Sequence, residues 1–142
     1  MKYRREERLA SYLGRRMAQA ESSRPYDLIV PIPLHKNRLR ERGFNQALLL
    51  AREIGKAWKT EVDPFLLVKA RPTPPQAALK GEERRKNLRG AFEVRRPERI
   101  EGKRVLLVDD VCTTGATLEE AFRTILKAGA QEVEALVLAR AE

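Results

Sequence analysis

Apolar positions along the chain switch between a helical spacing and short continuous runs, the mark of alternating helices and buried strands. Leu9, Tyr12, Leu13, Met17 and Ala20 share one face of an N-terminal helix. Leu28-Ile29-Val30, within Asp27–Pro31, reads as a short strand stopped by Pro31 and Pro33. Phe44, Ala47, Leu48, Ala51, Ile54 and Trp58 return to helical spacing, and Phe65–Val68 reads as the next strand. Val105-Leu106-Leu107-Val108 is apolar at every position, as expected of a strand covered on both faces. Leu118, Ala121, Phe122, Ile125 and Leu126 define an amphipathic helix ended by Gly129, and Val133–Leu138 makes a last strand. The alternation predicts one α/β domain over residues 1–142, with a mostly parallel central sheet flanked by helices.

Two stretches depart from this pattern. Residues 71–90 carry Pro72, Pro74, Pro75 and Gly81 among polar and charged residues, which predicts a long loop. Ala91 to Arg104 is expected to form an edge hairpin turning near Pro97 or Gly102.

The composition, 42% hydrophobic and 35% charged in 142 residues, is that of a folded domain with its own core. No apolar run reaches membrane-spanning length and the basic N-terminus lacks a signal-peptide core, so the expected location is cytoplasmic, with no membrane partner. Cys112 is the single cysteine, which excludes an intramolecular disulfide and a multi-cysteine zinc site within these residues. Residues 1–104 carry 26 Lys and Arg against 13 Asp and Glu, whereas residues 105–142 carry 3 against 7. A field so basic over the first part favours polyanions, either phosphorylated small molecules or nucleic acid. An Arg-rich surface interleaved with Glu is the plainer alternative.

Candidate chemistry concentrates after the buried run. Asp109 and Asp110 stand at the carboxyl end of the strand, where open α/β sheets hold ligands. Val111-Cys112-Thr113-Thr114-Gly115-Ala116-Thr117 then leads into a helix, bringing hydroxyls and backbone N–H groups to its positive end. Gly115 can take the positive φ that such a turn requires. Carboxylates for vicinal hydroxyls and a turn for a phosphate suggest a ribose 5-phosphate site. Helix capping by Thr113 or Thr114 is the structural alternative for either residue alone.

The segment resembles the phosphoribosyl pyrophosphate signature of the type I phosphoribosyltransferases. That resemblance implies their Rossmann-like fold, with a small hood and a flexible loop. It implies that Asp109 and Asp110 meet the ribose hydroxyls, and Mg²⁺ indirectly through the substrate pyrophosphate. Residues Val111 to Thr117 would bind substrate, with Thr113 to Thr117 around the 5′-phosphate. Further motifs are Asp27 to His35, Arg38-Leu39-Arg40-Glu41-Arg42-Gly43-Phe44-Asn45-Gln46-Ala47, Arg71-Pro72-Thr73-Pro74-Pro75-Gln76, Leu79, Arg84, Asn87-Leu88 and Ala91-Phe92. In order and spacing they are similar to the ComF/GntX-type phosphoribosyltransferase-like proteins, from about Tyr3 to Arg140. Many of those proteins carry an N-terminal cysteine-rich zinc-binding segment; this chain starts at the helix that follows it and reads either as a natural short form or as a fragment.

The resemblance assigns Pro33, Leu34 and His35 to a loop that cradles pyrophosphate, with Arg38, Arg40 and Arg42 available to neutralise it. His35 is the only histidine, and an acid–base role and an incidental loop position both stay open. Residues 71–90 correspond to the loop that closes over substrate, with Arg71, Gln76, Arg84 and Asn87 as candidates and Arg71 and Arg84 as catalytic ones. Asn45 and Gln46 are expected to orient the pyrophosphate loop, and Gly43 to serve the start of the second long helix. Cys112, Trp58 and Phe122 read as structural.

The implied reaction transfers the phosphoribosyl group of Mg²⁺-bound phosphoribosyl pyrophosphate to an unidentified nitrogenous acceptor, releasing pyrophosphate. A hood of about residues 1–26 and 91–104 would recognise the acceptor, and Tyr3, Tyr12, Tyr26 and Phe92 are its few rings. The alternative is a non-catalytic competence protein that handles single-stranded DNA or meets the competence machinery, or a regulator sensing phosphoribosyl pyrophosphate. Arg84, Arg85 and Arg89 would then contact DNA phosphates. A homodimer is compatible with the resemblance.

Overall fold

The structure, a computed structural model, describes residues 2–20, 26–70, 81–112 and 115–140. Its centre is a three-stranded parallel sheet of β1 (Leu28–Pro31), β4 (Arg104–Cys112) and β5 (Glu132–Arg140), in the order β1-β4-β5. Leu28 lies opposite Val105, and Val105 opposite Val133. A single parallel bridge from Ile29 to Val62 continues the sheet beyond β1.

The apolar run in β4 is buried on both sides because two layers cover it. Leu106 and Val108 face α1 (Lys2–Ala20) and α3 (Gln46–Trp58), packing with Met17, Ala18, Leu50, Ala51 and Ile54. Val105 and Leu107 face the other way, toward Ala121 and Ile125 of α5 (Ala116–Lys127). Strand alternation with a period of two sorts consecutive apolar residues into these layers. Gly14 lets α1 approach α3: a Cβ there would meet Glu53 Cβ at 2.9 Å and the Leu50 carbonyl oxygen at 3.0 Å.

The expected hairpin within 91–104 does not form. β3 (Phe92–Val94) pairs antiparallel with β2 (Leu67–Lys69) as a separate ribbon. The chain then turns through Arg96, at φ 58°, into a 3-10 turn over Pro97–Arg99 before β4 starts. Phe92 and Ile100 are buried against Leu66, Leu67 and α5, which draws the segment onto the core instead of back onto itself. The segments 1–26 and 91–104, expected together as a hood, therefore pack in different layers where they are described.

The expected loop 71–90 is interrupted by α4 (Gly81–Leu88), while residues 71–80 lie outside the described residues. Leu88 anchors α4 in a small cluster with Ala91 and Ala116. Between β1 and α3 a short helix, α2 (Lys36–Arg42), is closed by Gly43 at φ 86°, whose N–H donates to the Leu39 carbonyl at 2.8 Å. Gly43 thus ends α2 and leaves the start of α3 to Asn45. Among the described residues no helix is long and apolar enough to cross a membrane.

Candidate functional site

Asp109 and Asp110 lie near the carboxyl end of β4, just past Val108, its last residue paired with β1. The Asp110 N–H donates to Asp109 Oδ1 at 2.9 Å, and the Val111 N–H donates to Asp110 Oδ1 at 2.8 Å. Burial pushes the Asp109 carboxyl from 3.8 up to about 7, helped by a hydrogen bond and like charge from the Asp110 carboxyl. The Asp110 backbone N–H and the Lys69 ammonium pull the other way. A carboxyl held this way gains most from a ligand that brings hydroxyl donors or a cation.

Gly115 follows at φ 81° and starts α5 in the left-handed conformation expected of it. Its carbonyl accepts from the Glu119 N–H at 2.8 Å, which fixes the first turn of α5. Ala116 and Thr117 form its first turn. Arg71, Gln76, Thr113 and Thr114 lie outside the described residues, as do the side chains of Arg84, Arg85 and Cys112.

The chain leaving β1 is held on the same side of the sheet. The Ile32 N–H donates to the Val108 carbonyl at 2.9 Å, and Asn45 Nδ2 donates to the Ile32 carbonyl at 3.2 Å. Asn45 also caps α3 by accepting from the Ala47 N–H at 3.0 Å. Asn45 thus ties the start of α3 to the chain leaving β1. His35 caps α2, its Nδ1 accepting from the Asn37 N–H at 3.3 Å. Arg38 and Arg40 are exposed on α2, and Arg42 is partly buried.

Three features escaped the sequence. Lys69, at the end of β2, stands close enough to Asp109 to lower its pKa; a lone lysine after an apolar strand gave no signal of that. A cleft of about 480 Å³ opens beside Asp110, walled by Leu9, Ala10 and Leu13 of α1 and by Glu41, Arg42 and Gln46. A larger groove of about 750 Å³ runs from Pro33, Leu34 and His35 past Lys69 to Phe65 and Arg95. The apolar periodicity of α1 was the only hint of the first, and nothing in the pattern hinted at the second.

Among the described residues no three His, Cys, Asp or Glu side chains converge as a metal cage. Asp109 and Asp110 nevertheless fit a hard divalent cation, since Mg²⁺ commonly binds through one or two carboxylates and takes its other ligands from water and substrate phosphates. Burial of the Asp109 carboxyl beside Asp110 supports the fit, because a cation would offset the cost of ionising it there.

Comparison with known proteins agrees with this arrangement. A family model described as the phosphoribosyl transferase domain matches residues 43–142. The chain is 35% identical over 116 residues to competence protein F of Haemophilus influenzae, covering 81% of this chain and 51% of that protein. It is also 35% identical over 114 residues to the DNA utilization protein YhgH of Escherichia coli, covering 80% of this chain and 49% of that protein. It thus spans about half the length of these curated relatives. In fold it is similar to the glutamine phosphoribosylpyrophosphate amidotransferase of Bacillus subtilis, with a TM-score of 0.63 and 24% identity over 91% of this chain and 26% of that one. The parallel sheet, the acidic end of β4 and the glycine turn into α5 are what this kinship predicts, and the chain belongs to the phosphoribosyl transferase domain family, on its ComF branch.

Proposed function

We propose that this protein binds Mg²⁺-phosphoribosyl pyrophosphate and transfers its phosphoribosyl group to a nitrogenous acceptor in the cytoplasm. The observation that carries this reading is the Asp109–Asp110 pair near the carboxyl end of β4, with the positive-φ Gly115 starting α5 five residues after Asp110. In this reading Asp109 and Asp110 accept hydrogen bonds from the ribose hydroxyls. Val111 to Thr117 wrap the 5′-phosphate, and Thr113, Thr114 and Thr117 supply hydroxyl donors. Pro33, Leu34 and His35 carry the diphosphate on backbone groups, with Arg38 and Lys69 adding positive charge.

The acceptor nitrogen attacks the anomeric carbon as the bond to the diphosphate oxygen breaks, and the electron pair leaves with pyrophosphate. Mg²⁺, held beside Asp109 and Asp110 with the substrate, supplies charge neutralisation for the leaving diphosphate. The chain's own contribution is positioning and fixed charge, with no covalent nucleophile required. Arg71 and Arg84 belong to the segment that closes over the substrate and keeps water from the cationic sugar. The cleft beside Asp110 is the space we assign to the acceptor.

Calorimetric titration with phosphoribosyl pyrophosphate, with and without Mg²⁺, tests the reading. Saturable binding that requires Mg²⁺ is expected, with loss of affinity in the Asp109→Asn, Asp110→Asn double variant. Unchanged affinity in a folded double variant overturns the assignment.

A second reading, nucleic-acid handling, is favoured by the relatives called competence protein F and DNA utilization protein. The two readings are compatible in one chain, because the basic surface extends well beyond the acidic strand end.

A further inference from the structure

Phe65 breaks the burial rule of its own segment. Leu66 and Leu67 beside it are 2% and 0% exposed, yet Phe65 is 77% exposed. The ring is held out by built contacts. The Phe65 N–H donates to Asp63 Oδ1 at 3.0 Å, and Asp63 Oδ2 accepts from Arg99 Nη1 at 2.6 Å. Arg99 also pairs with Glu61, whose carbonyl accepts from the Ile29 N–H of β1. A large ring presented to solvent on a turn so firmly tied to the sheet calls for a partner.

The surroundings name its chemistry. Phe65 lines the groove of about 750 Å³, whose floor includes Phe44 and Leu48 and whose walls include Lys36, Arg52 and Arg95. Among the described residues, Glu93 is the only carboxylate along it. Phe65 and Arg95 also line an adjoining hollow of about 230 Å³ with Arg96 and Arg99. Lys36, Arg52, Arg95 and Arg96 are exposed, and none forms an ion pair among the described residues. Arg96 is also held at φ 58°, a conformation that disfavours a side chain and here returns no burial.

We infer that this groove is a binding track for single-stranded nucleic acid, with Phe65 stacking on one base and Arg52, Arg95 and Arg96 meeting the flanking phosphates. It rests on the nucleic-acid reading, not on phosphoribosyl transfer. Uncompensated cations fit a repeating anion, and a lone exposed ring set among them fits a flat, unpaired base. A duplex keeps its base faces stacked inside and offers this ring nothing. An acidic peptide would satisfy the cations while leaving the ring without a planar partner.

The test is fluorescence polarisation of the full chain with a labelled oligothymidylate of about 20 nucleotides, long enough to cover one such track. Phe65→Ala is expected to weaken binding about tenfold with little change in salt dependence, and Phe65→Trp to restore it. Arg52→Glu with Arg95→Glu is expected to flatten the slope of log affinity against log salt by about 0.7 for each phosphate contact removed. Mg²⁺-phosphoribosyl pyrophosphate binding is expected to be unchanged in all three. Unaltered oligonucleotide affinity in these variants overturns the groove while sparing the nucleic-acid reading; no binding by the parent chain overturns both. Competition by polyglutamate as effective as by the oligonucleotide would identify an acidic protein surface as the occupant. A change in oligomeric mass on Phe65→Ala would identify a second copy of the chain, and either result sinks the proposal.

Discussion

The backbone N–H of Asp110 donates to the carboxylate of Asp109 at 2.9 Å, tying two like charges together at the end of one strand. Adjacent strand residues alternate sides. Asp110 therefore borders the cleft beside α1, while Asp109 continues the side of Val105 and Leu107 and feels Lys69. The pair reaches both sides of the sheet from a single point.

This arrangement costs stability at neutral pH. Native Asp109 keeps its proton up to about pH 7, against an ordinary value of 3.8. Between those values the folded chain binds more protons than the unfolded chain, so this group's contribution to stability declines as pH rises through that window and is flat above it. Asp109→Asn should therefore raise the melting temperature at pH 8, by the equivalent of about 1–3 kcal/mol. The gain should vanish near the ordinary carboxyl pKa of about 4. Thermal unfolding across that range checks both statements; no gain at pH 8 would refute the argument from burial and the Asp110 neighbour.

Ligand affinity should run the opposite way. Accepting ribose hydroxyls, or neighbouring a cation, needs ionised Asp109. Affinity for Mg²⁺-phosphoribosyl pyrophosphate is expected to climb between about pH 6 and pH 8, beyond what ionisation of the ligand accounts for. Asp109→Asn should remove the excess slope. Lys69→Met should move its midpoint to higher pH and weaken binding by about tenfold, since it deletes the ammonium that holds the carboxyl down.

Gly14→Ala separates helix propensity from packing. Alanine gains about 1 kcal/mol in a helix interior. Here its Cβ would meet Glu53 Cβ at 2.9 Å and a backbone oxygen at 3.0 Å, neither of them the far end of a flexible chain. Overpacking is expected to win, for a net loss of about 1–2 kcal/mol. Chemical denaturation checks the sign; a stabilised variant would mean that α1 shifts freely over α3.

Gly115→Ala meets no neighbour within 4 Å among the described residues, so its cost is conformational. Forcing a side chain to φ 81° should lower stability by about 1 kcal/mol. Phosphoribosyl pyrophosphate binding should fall much further, because relaxing that φ reshapes the turn that meets the phosphate. Equal losses in both would make Gly115 a purely structural residue.

The central sheet was legible because parallel strands covered on both faces must be apolar throughout, as Leu28-Ile29-Val30 and Val105 to Val108 are. The acidic strand end and the positive-φ glycine were legible for a similar reason: each residue type answers a local demand. α4 was not, because its segment is almost wholly polar and, among the described side chains, Leu88 is the one buried with Ala91 and Ala116. Phe65 misled, since an apolar run counts a phenylalanine toward the core, yet the strand begins only at Leu67 and the turn before it points outward. Tyr26, expected in a hood, instead stacks on Trp58 with ring centroids 6.3 Å apart and donates to Glu134 at 2.5 Å. The closeness of Lys69 to Asp109 is created by tertiary structure alone.

The pairing of β1 with β4 also governs how the chain comes together in time. Asp27 and Arg104 lie 77 residues apart, yet the Asp27 N–H donates to the Arg104 carbonyl and the Arg104 N–H to the Asp27 carboxylate, both at 2.8 Å. β4, α5 and β5 form a local unit, whereas β1 must search across most of the sequence for its neighbour, and such long-range pairing slows folding. On a ribosome the first strand emerges with no sheet to join, and the layer of α1 and α3 waits unsupported until β4 has been made.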